Sequence, residues 1–238
     1  MRIAALYDVH GNLRALEAVL AEVADERVDT IVCGGDVVWG PQPAECLEAL
    51  RAARAMFVRG NADRDVLTGK DPIDRFGAAR LSEGQKALVA SWPLSLELDV
   101  DGVGRVLFCH ATPRSDEEIV TRATPDEEIA EVLAEVDADV VVGGHTHVQF
   151  DRRVNGAVRF VNAGSVGMPY EGDGDARWLL LGPDVELRHT SYDIAAAIPE
   201  IEATGMPQVE RFVENALRGR ISAEEATAFW EGERTRVA

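Results

Sequence analysis

The sequence predicts an α/β protein, and three observations carry that reading. The first third alternates short apolar runs with segments of helical spacing, which implies parallel strands joined by right-handed crossovers. The middle carries three hairpin signals. From about residue 193 the pattern is helical only.

The elements follow in order. "RIAALY" reads as a buried strand and "LRALEAVLAEVADE" as a helix. "TIVCGG" is the second strand. "PAECLEALRAA" is the second helix, with Pro43 in its first turn. "AMFVRG" is the third strand. "SEGQKALVASW" opens with a Ser-x-x-Gln capping box at Ser82 and Gln85. "LSLELDV" and "RVLFCH" flank "DGVG" as a hairpin. "TPDEEIAEVLAEV" is a helix with Thr124 as cap, Pro125 in the first turn and Glu127 completing a box. "DVVVGG" is another buried strand. An Asn-Gly hairpin is expected at Asn155 and Gly156, and a further one with its turn at Gly182 to Asp184. The tail holds three helical segments, the last opened by a capping box at Ser222 and Glu225. The expected division is a main domain over residues 1–191 and a helical extension over 192–238, packed on it or on a partner subunit. Phe212, Phe229 and Trp230 in that extension call for burial.

The bulk properties narrow the function. The chain has 238 residues, 46% hydrophobic and 28% charged, with a net charge of −18. Such a surface repels phosphate backbones and anionic membranes, so neither an extended nucleic-acid surface nor membrane binding is expected. A phosphate-bearing substrate would need local positive charge, such as bound metal. No apolar run is long enough to span a membrane, and "MRIAALYDVHGN" lacks the features of a signal peptide. The three cysteines follow no zinc-site spacing, and Cys33 and Cys109 read as buried thiols. A cytoplasmic protein is expected.

Several strands end alike, in glycine and polar residues that can hold a metal. The first is followed by Asp8, His10 and Asn12, the second by Asp36, the third by Asn61 and Asp63. His110 ends a strand of the middle hairpin, and His145 and His147 follow "VVVGG". Each alone is unremarkable: an Asp after a strand is usually a turn residue, and His-x-His alone is a weak signal. Together they would converge at the carboxyl ends of the strands, where open α/β sheets bind ligands. Four of the five histidines belong to this set; His189 does not and reads as structural. Imidazoles, carboxylates and a carboxamide without thiolate suit manganese, iron, zinc, nickel or cobalt. The donors are too many for one ion, so two divalent ions sharing a carboxylate is the simplest reading.

The ordered series Asp-x-His-Gly-Asn, Gly-Gly-Asp, Gly-Asn-x-Asp, a lone His and Gly-Gly-His-Thr-His resembles the calcineurin-like metallophosphoesterase superfamily, over residues 3–169. "NAGSVGMP" and "GGDVVWGPQPAE" resemble segments of its small bacterial and archaeal phosphodiesterase branch, with Ala163 where that branch has Pro. The resemblance implies a four-layer α/β/β/α sandwich of two mixed sheets flanked by helices, here with a helical C-terminal tail. It implies that Asp8, His10 and His147 bind one metal, that Asp36 bridges, and that Asn61, His110 and His145 bind the other. Asp36, Asn61 and His110 are the residues it places at the chemistry. Asn12 and Ser165 become candidate substrate contacts, through a phosphate pocket shaped by the "NAGS" loop, and Asp63 a candidate for orienting a ligand. Many relatives carry a His after the Gly-Asn, held by an Asp three residues past the bridging Asp, to protonate the leaving group. Here those positions are Ala62 and Trp39. The implied activity is hydrolysis of a small or nucleotide-like phosphoester, foremost a phosphodiester, by a hydroxide between the two metals. A phosphomonoesterase or protein phosphatase, and a non-catalytic scaffold on the same fold, stand as alternatives. A homo-oligomer is left open.

Overall fold

Ile3, Ala5 and Tyr7 face one way along the first strand, and Ala4 and Leu6 the other, as the two-residue period of a strand requires. The computed structural model describes residues 1–154, 156 and 158–237, and in it both faces of that strand are buried. This is the hallmark of a strand inside a layered α/β fold.

The first sheet is built from β1 (Ile3–Leu6), β2 (Thr30–Cys33) and β3 (Met56–Phe57), paired in parallel. The crossovers between them contain α1 (Leu13–Asp25) and α2 (Pro43–Ala52). Three helices follow: α3 (Asn61–Thr68), α4 (Pro72–Arg80) and α5 (Glu83–Ala90). The second sheet takes β4 (Ser95–Val100) and β5 (Gly104–Cys109), then, past α6 (Asp126–Val132), β6 (Val140–Gly143), β7 (Phe150–Arg153) and β8 (Arg159–Asn162). Its order is β4-β5-β6-β8-β7, with β5, β6 and β8 parallel. The chain then returns to the first sheet as the hairpin of β9 (Ala176–Leu181) and β10 (Val185–Thr190), giving the order β10-β9-β1-β2-β3.

Three apolar layers hold the stack together. Between the sheets lie Ile3, Ala5, Tyr7, Phe108, Val142 and Leu179. Ala4 and Leu6 meet Leu16, Val19, Leu47 and Leu50 of α1 and α2 on the outer face of the first sheet. Leu107, Val141 and Phe160 meet Ile129 of α6 on the outer face of the second. The expected four-layer α/β/β/α sandwich with mixed sheets is therefore present. Phe108 is completely buried, so truncating it to Ala would cost about 3–5 kcal/mol.

Some local readings change. Helices α3 and α4 were not expected from the sequence. Thr124 is not the cap of α6: Pro125 takes that place, and the Thr124 hydroxyl donates to Glu231 instead. The Ser82–Gln85 and Ser222–Glu225 boxes form as expected. β7 and β8 pair across the Asn-Gly position, and Asn155 itself lies outside the described residues.

After β10 the chain forms α7 (Ile194–Glu202), α8 (Val209–Phe212), a π-helical turn over Val213–Leu217, and α9 (Ala223–Val237). Ala197, Ile201, Met206 and Phe212 pack with Ile73 and against Trp39 and Met168. The tail thus lies on the sandwich, beside the carboxyl ends of the strands. Phe229 was expected to be buried but is 60% exposed; α9 turns the neighbouring Trp230 inward instead.

Candidate metal centre

Eight non-glycine residues among those described have positive φ, and five of them are Asp8, His10, Asp36, His145 and His147. A side chain pays steric strain in that left-handed region, so such residues persist only where the surroundings force them. The forcing here is visible. Asp8 donates its N–H to Gly35 and His10 to Asp36, which ties the loops after β1 and β2 together. Glycines allow the close approach: a Cβ on Gly144 would stand 2.4 Å from Asp8 Oδ2, and one on Gly60 2.1 Å from Asp36 Oδ1.

Each carboxylate divides its two oxygens. Asp8 Oδ2 accepts the His145 N–H at 3.0 Å, while Oδ1 is buried without a hydrogen-bond partner. Asp36 Oδ1 accepts the Ala62 N–H at 2.8 Å, while Oδ2 lies 3.4 Å from His110 Nε2 and 3.7 Å from His10 Nε2. One oxygen of each is fixed and the other is offered to the cluster.

The histidines are aimed likewise. His147 Nδ1 donates to the Met168 carbonyl and His110 Nδ1 to the Gly34 carbonyl. A carbonyl only accepts, so the proton must sit on Nδ1, and this turns the Nε2 lone pair inward. His147 Nε2 then lies 3.1 Å from His10 Nε2 and 3.2 Å from Asp8 Oδ1. His110 Nε2 lies 2.9 Å from Asn61 Oδ1. Lone pairs converging at such distances repel unless a proton or a cation lies between them. Asp8, His10 and His147 form one group able to hold an ion, and Asp8, Asp36 and His110 a second. This donor set, with an orphaned buried carboxylate oxygen at its centre, fits divalent cations.

Without a cation between them, the carboxylates instead favour protonation of the facing His110 imidazole. Burial would raise the Asp8 carboxyl, but His147 and His10 hold it well below the usual range. Burial would also raise Asp36, and His110 outweighs it. Burial would lower the His110 ring, yet the Asp36 carboxylate carries it up to about 10. His145 goes the other way: burial and the charge of His110 push it down to about 4, leaving a neutral imidazole. His145 lies in neither group; its ring is 5.5 Å from that of His110.

Asp63 is completely buried and accepts from the N–H groups of Asp36, Val37, Val38 and Gly60. It fixes the backbone that presents Asp36. Burial, helped by the Asp36 charge, raises its carboxyl to about 6 against those four donors.

Two expectations are corrected. Asn12 and Ser165 were expected to contact substrate, and both are completely buried. Asn12 caps α1 by accepting from Ala15 N–H, and its amide donates to Gly167 and Tyr192. Ser165 donates to the Asp8 carbonyl and accepts from Met168 N–H. Their hydrogen-bonding capacity is spent on the scaffold. In and after the "NAGS" loop, the N–H groups of Ala163, Gly164, Val166 and Gly167 donate within the protein and are not offered to a phosphate.

The cluster opens into a cavity of about 280 Å³. His10, Asp36, Asn61, His145 and His147 form its floor, and Ala62, Lys70 and Asp71 lie on its wall. Three aromatic rings frame it, each against one histidine: Trp39 on His10, Tyr170 on His147 and Trp230 on His145. The framing roles of Tyr170 and Trp230 were not read from the sequence. His10 also turns its Nε2 to the cluster, but its Nδ1 is buried without a partner. His189 lies outside the site, paired with Asp175.

The model of the calcineurin-like phosphoesterase superfamily domain matches residues 1–181. The chain belongs to this superfamily. An uncharacterized protein of Methanocaldococcus jannaschii is 30% identical over 234 residues, covering 87% of this chain and 94% of that one. A metallophosphoesterase structure from Sphaerobacter thermophilus is 28% identical and superposes with a TM-score of 0.76, over 92% of this chain and all of that one. A hypothetical protein of Pyrococcus horikoshii shares the fold at 17% identity and a TM-score of 0.75, over 93% of this chain and 99% of that one. The last two matches extend past residue 181, into the C-terminal helices of this chain.

Proposed function

We propose that the protein hydrolyses phosphodiesters at a centre of two divalent metal ions. Asp8, His10 and His147 would hold one, Asn61, His110 and His145 the other, and Asp36 would face both. The observation that carries this reading is the convergence of inward lone pairs on the unpartnered Asp8 Oδ1. Two ions held there lower the pKa of water and balance the charge of the phosphoryl group. The chain's own residues do the rest. Asp63 keeps Asp36 in place, and the Asn61 carboxamide on the cavity floor is backed by the His110 imidazole, 2.9 Å from its Oδ1. The aromatic frame limits water. Manganese, iron, zinc, nickel and cobalt all suit the donors, and a cytoplasmic location belongs to the same proposal.

The preference for diesters over monoesters rests on what the wall lacks. Ala62 presents a methyl group, and its N–H is spent on Asp36. Trp39 lies edge-on to His10. Among the described residues, the cavity has no imidazole besides His10, His145 and His147. General acid help is worth about 100- to 10,000-fold and matters most for poor leaving groups. Without it, the rate should depend steeply on leaving-group pKa, with aryl esters far ahead of alkyl ones. A series of diesters and monoesters of graded leaving-group pKa, run with metal analysis, tests this. Turnover confined to monoesters overturns the diesterase reading. A flat dependence with chemistry rate-limiting overturns the acid-poor site.

A further inference from the structure

Beside the metal cavity lies a second one, of about 290 Å³. The two share Trp39, Asp71, Met168 and Tyr170. A phosphodiester has two ester groups, and this shared wall gives one of them a path out of the metal cavity.

Half of the lining of the second cavity, Met206, Gln208, Arg211, Phe212 and Asn215, comes from the C-terminal segment, beyond the matched superfamily domain. Two rare backbone features coincide there. Gln208, at φ 60, is one of the few non-glycine residues with positive φ outside the metal cluster. The π-helical turn over Val213–Leu217 follows α8 directly and sets Asn215 on the cavity wall, while Val213, Ala216 and Leu217 are buried. Well under 1% of residues are π-helical, and such turns concentrate at functional sites. The lining has two characters. Trp39, Phe212 and two methionines, Met168 and Met206, make it flat, soft and apolar. Gln208, Asn215 and Arg211 add a polar edge. Gln208 and Arg211 are exposed at the rim and Asn215 is half-buried; among the described residues the two amides form no side-chain hydrogen bond and Arg211 no ion pair. In a chain of net charge −18, such an arginine in a cleft is a recognition group in waiting.

We infer that this cavity is the second compartment of the substrate cleft and takes a flat heteroaromatic ring, of nucleobase type, carried by one ester group of the substrate. The ring lies against the Trp39, Met168 and Phe212 wall, and its hydrogen-bonding edge meets Gln208 and Asn215. Arg211 guards the open side. The inference rests on the phosphoester reading above and names its substrate class. The volume is at the lower end for ligand pockets, which suits one ring system rather than a long chain.

The test compares three small phosphates on the full-length, metal-loaded protein by calorimetry: methyl phosphate, adenosine 5′-monophosphate and uridine 5′-monophosphate. At least one nucleotide should bind about tenfold or more tighter than methyl phosphate, the scale of one base stacked on an aromatic ring. In the double variant Gln208→Ala, Asn215→Ala that ratio should fall several-fold. Equal affinities in the natural protein overturn the inference without needing the variant, as does a ratio the variant leaves intact. Failure of all three to bind overturns it together with the metal-site reading. Turnover of bis(p-nitrophenyl) phosphate is measured in parallel. Its absence with the binding ratio intact counts against diester hydrolysis alone, and its presence with a ratio near one counts against the second compartment alone.

Discussion

Asp36 Oδ2 lies between His10 and His110, 3.7 Å from one Nε2 and 3.4 Å from the other, and Asp8 Oδ1 approaches the same two rings at 3.7 and 4.0 Å. Asp36→Asn keeps the shape and removes the charge. It should lose at least one of two ions per chain and nearly all activity, on the order of 1,000-fold in kcat. Metal analysis beside a rate assay checks this; two ions retained with activity intact would sink the bridging role. Asn12 makes the opposite case. Its type and its place after the Asp-x-His motif suggested substrate, yet its amide is fully used on Ala15, Gly167 and Tyr192. Asn12→Ala should cost about 1–2 kcal/mol as a lost helix cap with buried bonds. It should lower the melting temperature and leave KM within about twofold. A large rise in KM at unchanged stability would restore it as a substrate contact. The clustering of Asp8, His10, Asp36, His110 and His147 was legible because residue type and strand-end position suffice to bring them together. Asn12 and Ser165 were misread because a sequence shows which groups can hydrogen-bond, not where that capacity is spent.

At the scale of elements, the strands and most helices were legible from period and punctuation. Helices α3 and α4 were not. "NADRDVLT" is short and polar and is preceded by Gly60, which offers no side-chain cap; "PIDRFGAAR" has a glycine in its middle. Each is too short and too poor in apolar residues to show the long stripe that marks a helix in sequence; that of α3 is only Ala62 and Val66. Yet α3 begins at Asn61, so this unread helix fixes a proposed ligand and delivers the Ala62 N–H to Asp36. The C-terminal helices were read as needing burial, and the structure adds what they cover. α9 brings Trp230 against His145, with its indole N–H on the Thr146 carbonyl at 3.1 Å. Removing everything after Ser191 would uncover Ile73 and Met168 and strip one wall from the metal cavity. The truncated protein should be less soluble, melt several degrees lower and show a raised KM. Light scattering, a melting curve and kinetics read these. A soluble fragment with unchanged melting and kinetics would reduce the tail to an appendage.

The whole molecule carries a net charge of −18, and at its centre two buried carboxylates meet three inward-facing imidazoles. Without a cation, that convergence costs folding free energy, because buried charges and lone pairs lack the partners water would supply. A metal that binds the folded chain and not the unfolded one returns stability by mass action. At about 1,000 times the dissociation constant the gain is about 4 kcal/mol per ion. For a chain of this size each kcal/mol moves the melting temperature by about 2–4 °C, so stripping one ion should lower it by about 8–16 °C. Chelation with EDTA followed by a melting curve measures this, and adding back one divalent metal at a time ranks the candidates. Asp36→Asn separates this effect from general salt action. With its shared carboxylate neutralised, the variant should respond to chelation by about half as much or less, while simple ionic strength should move both proteins alike. A natural protein whose melting does not change on chelation, at a concentration shown to strip its metal, would mean that the cluster is satisfied by its own protons. The two-ion centre would then fail as an account of why five of its residues are held in left-handed backbone.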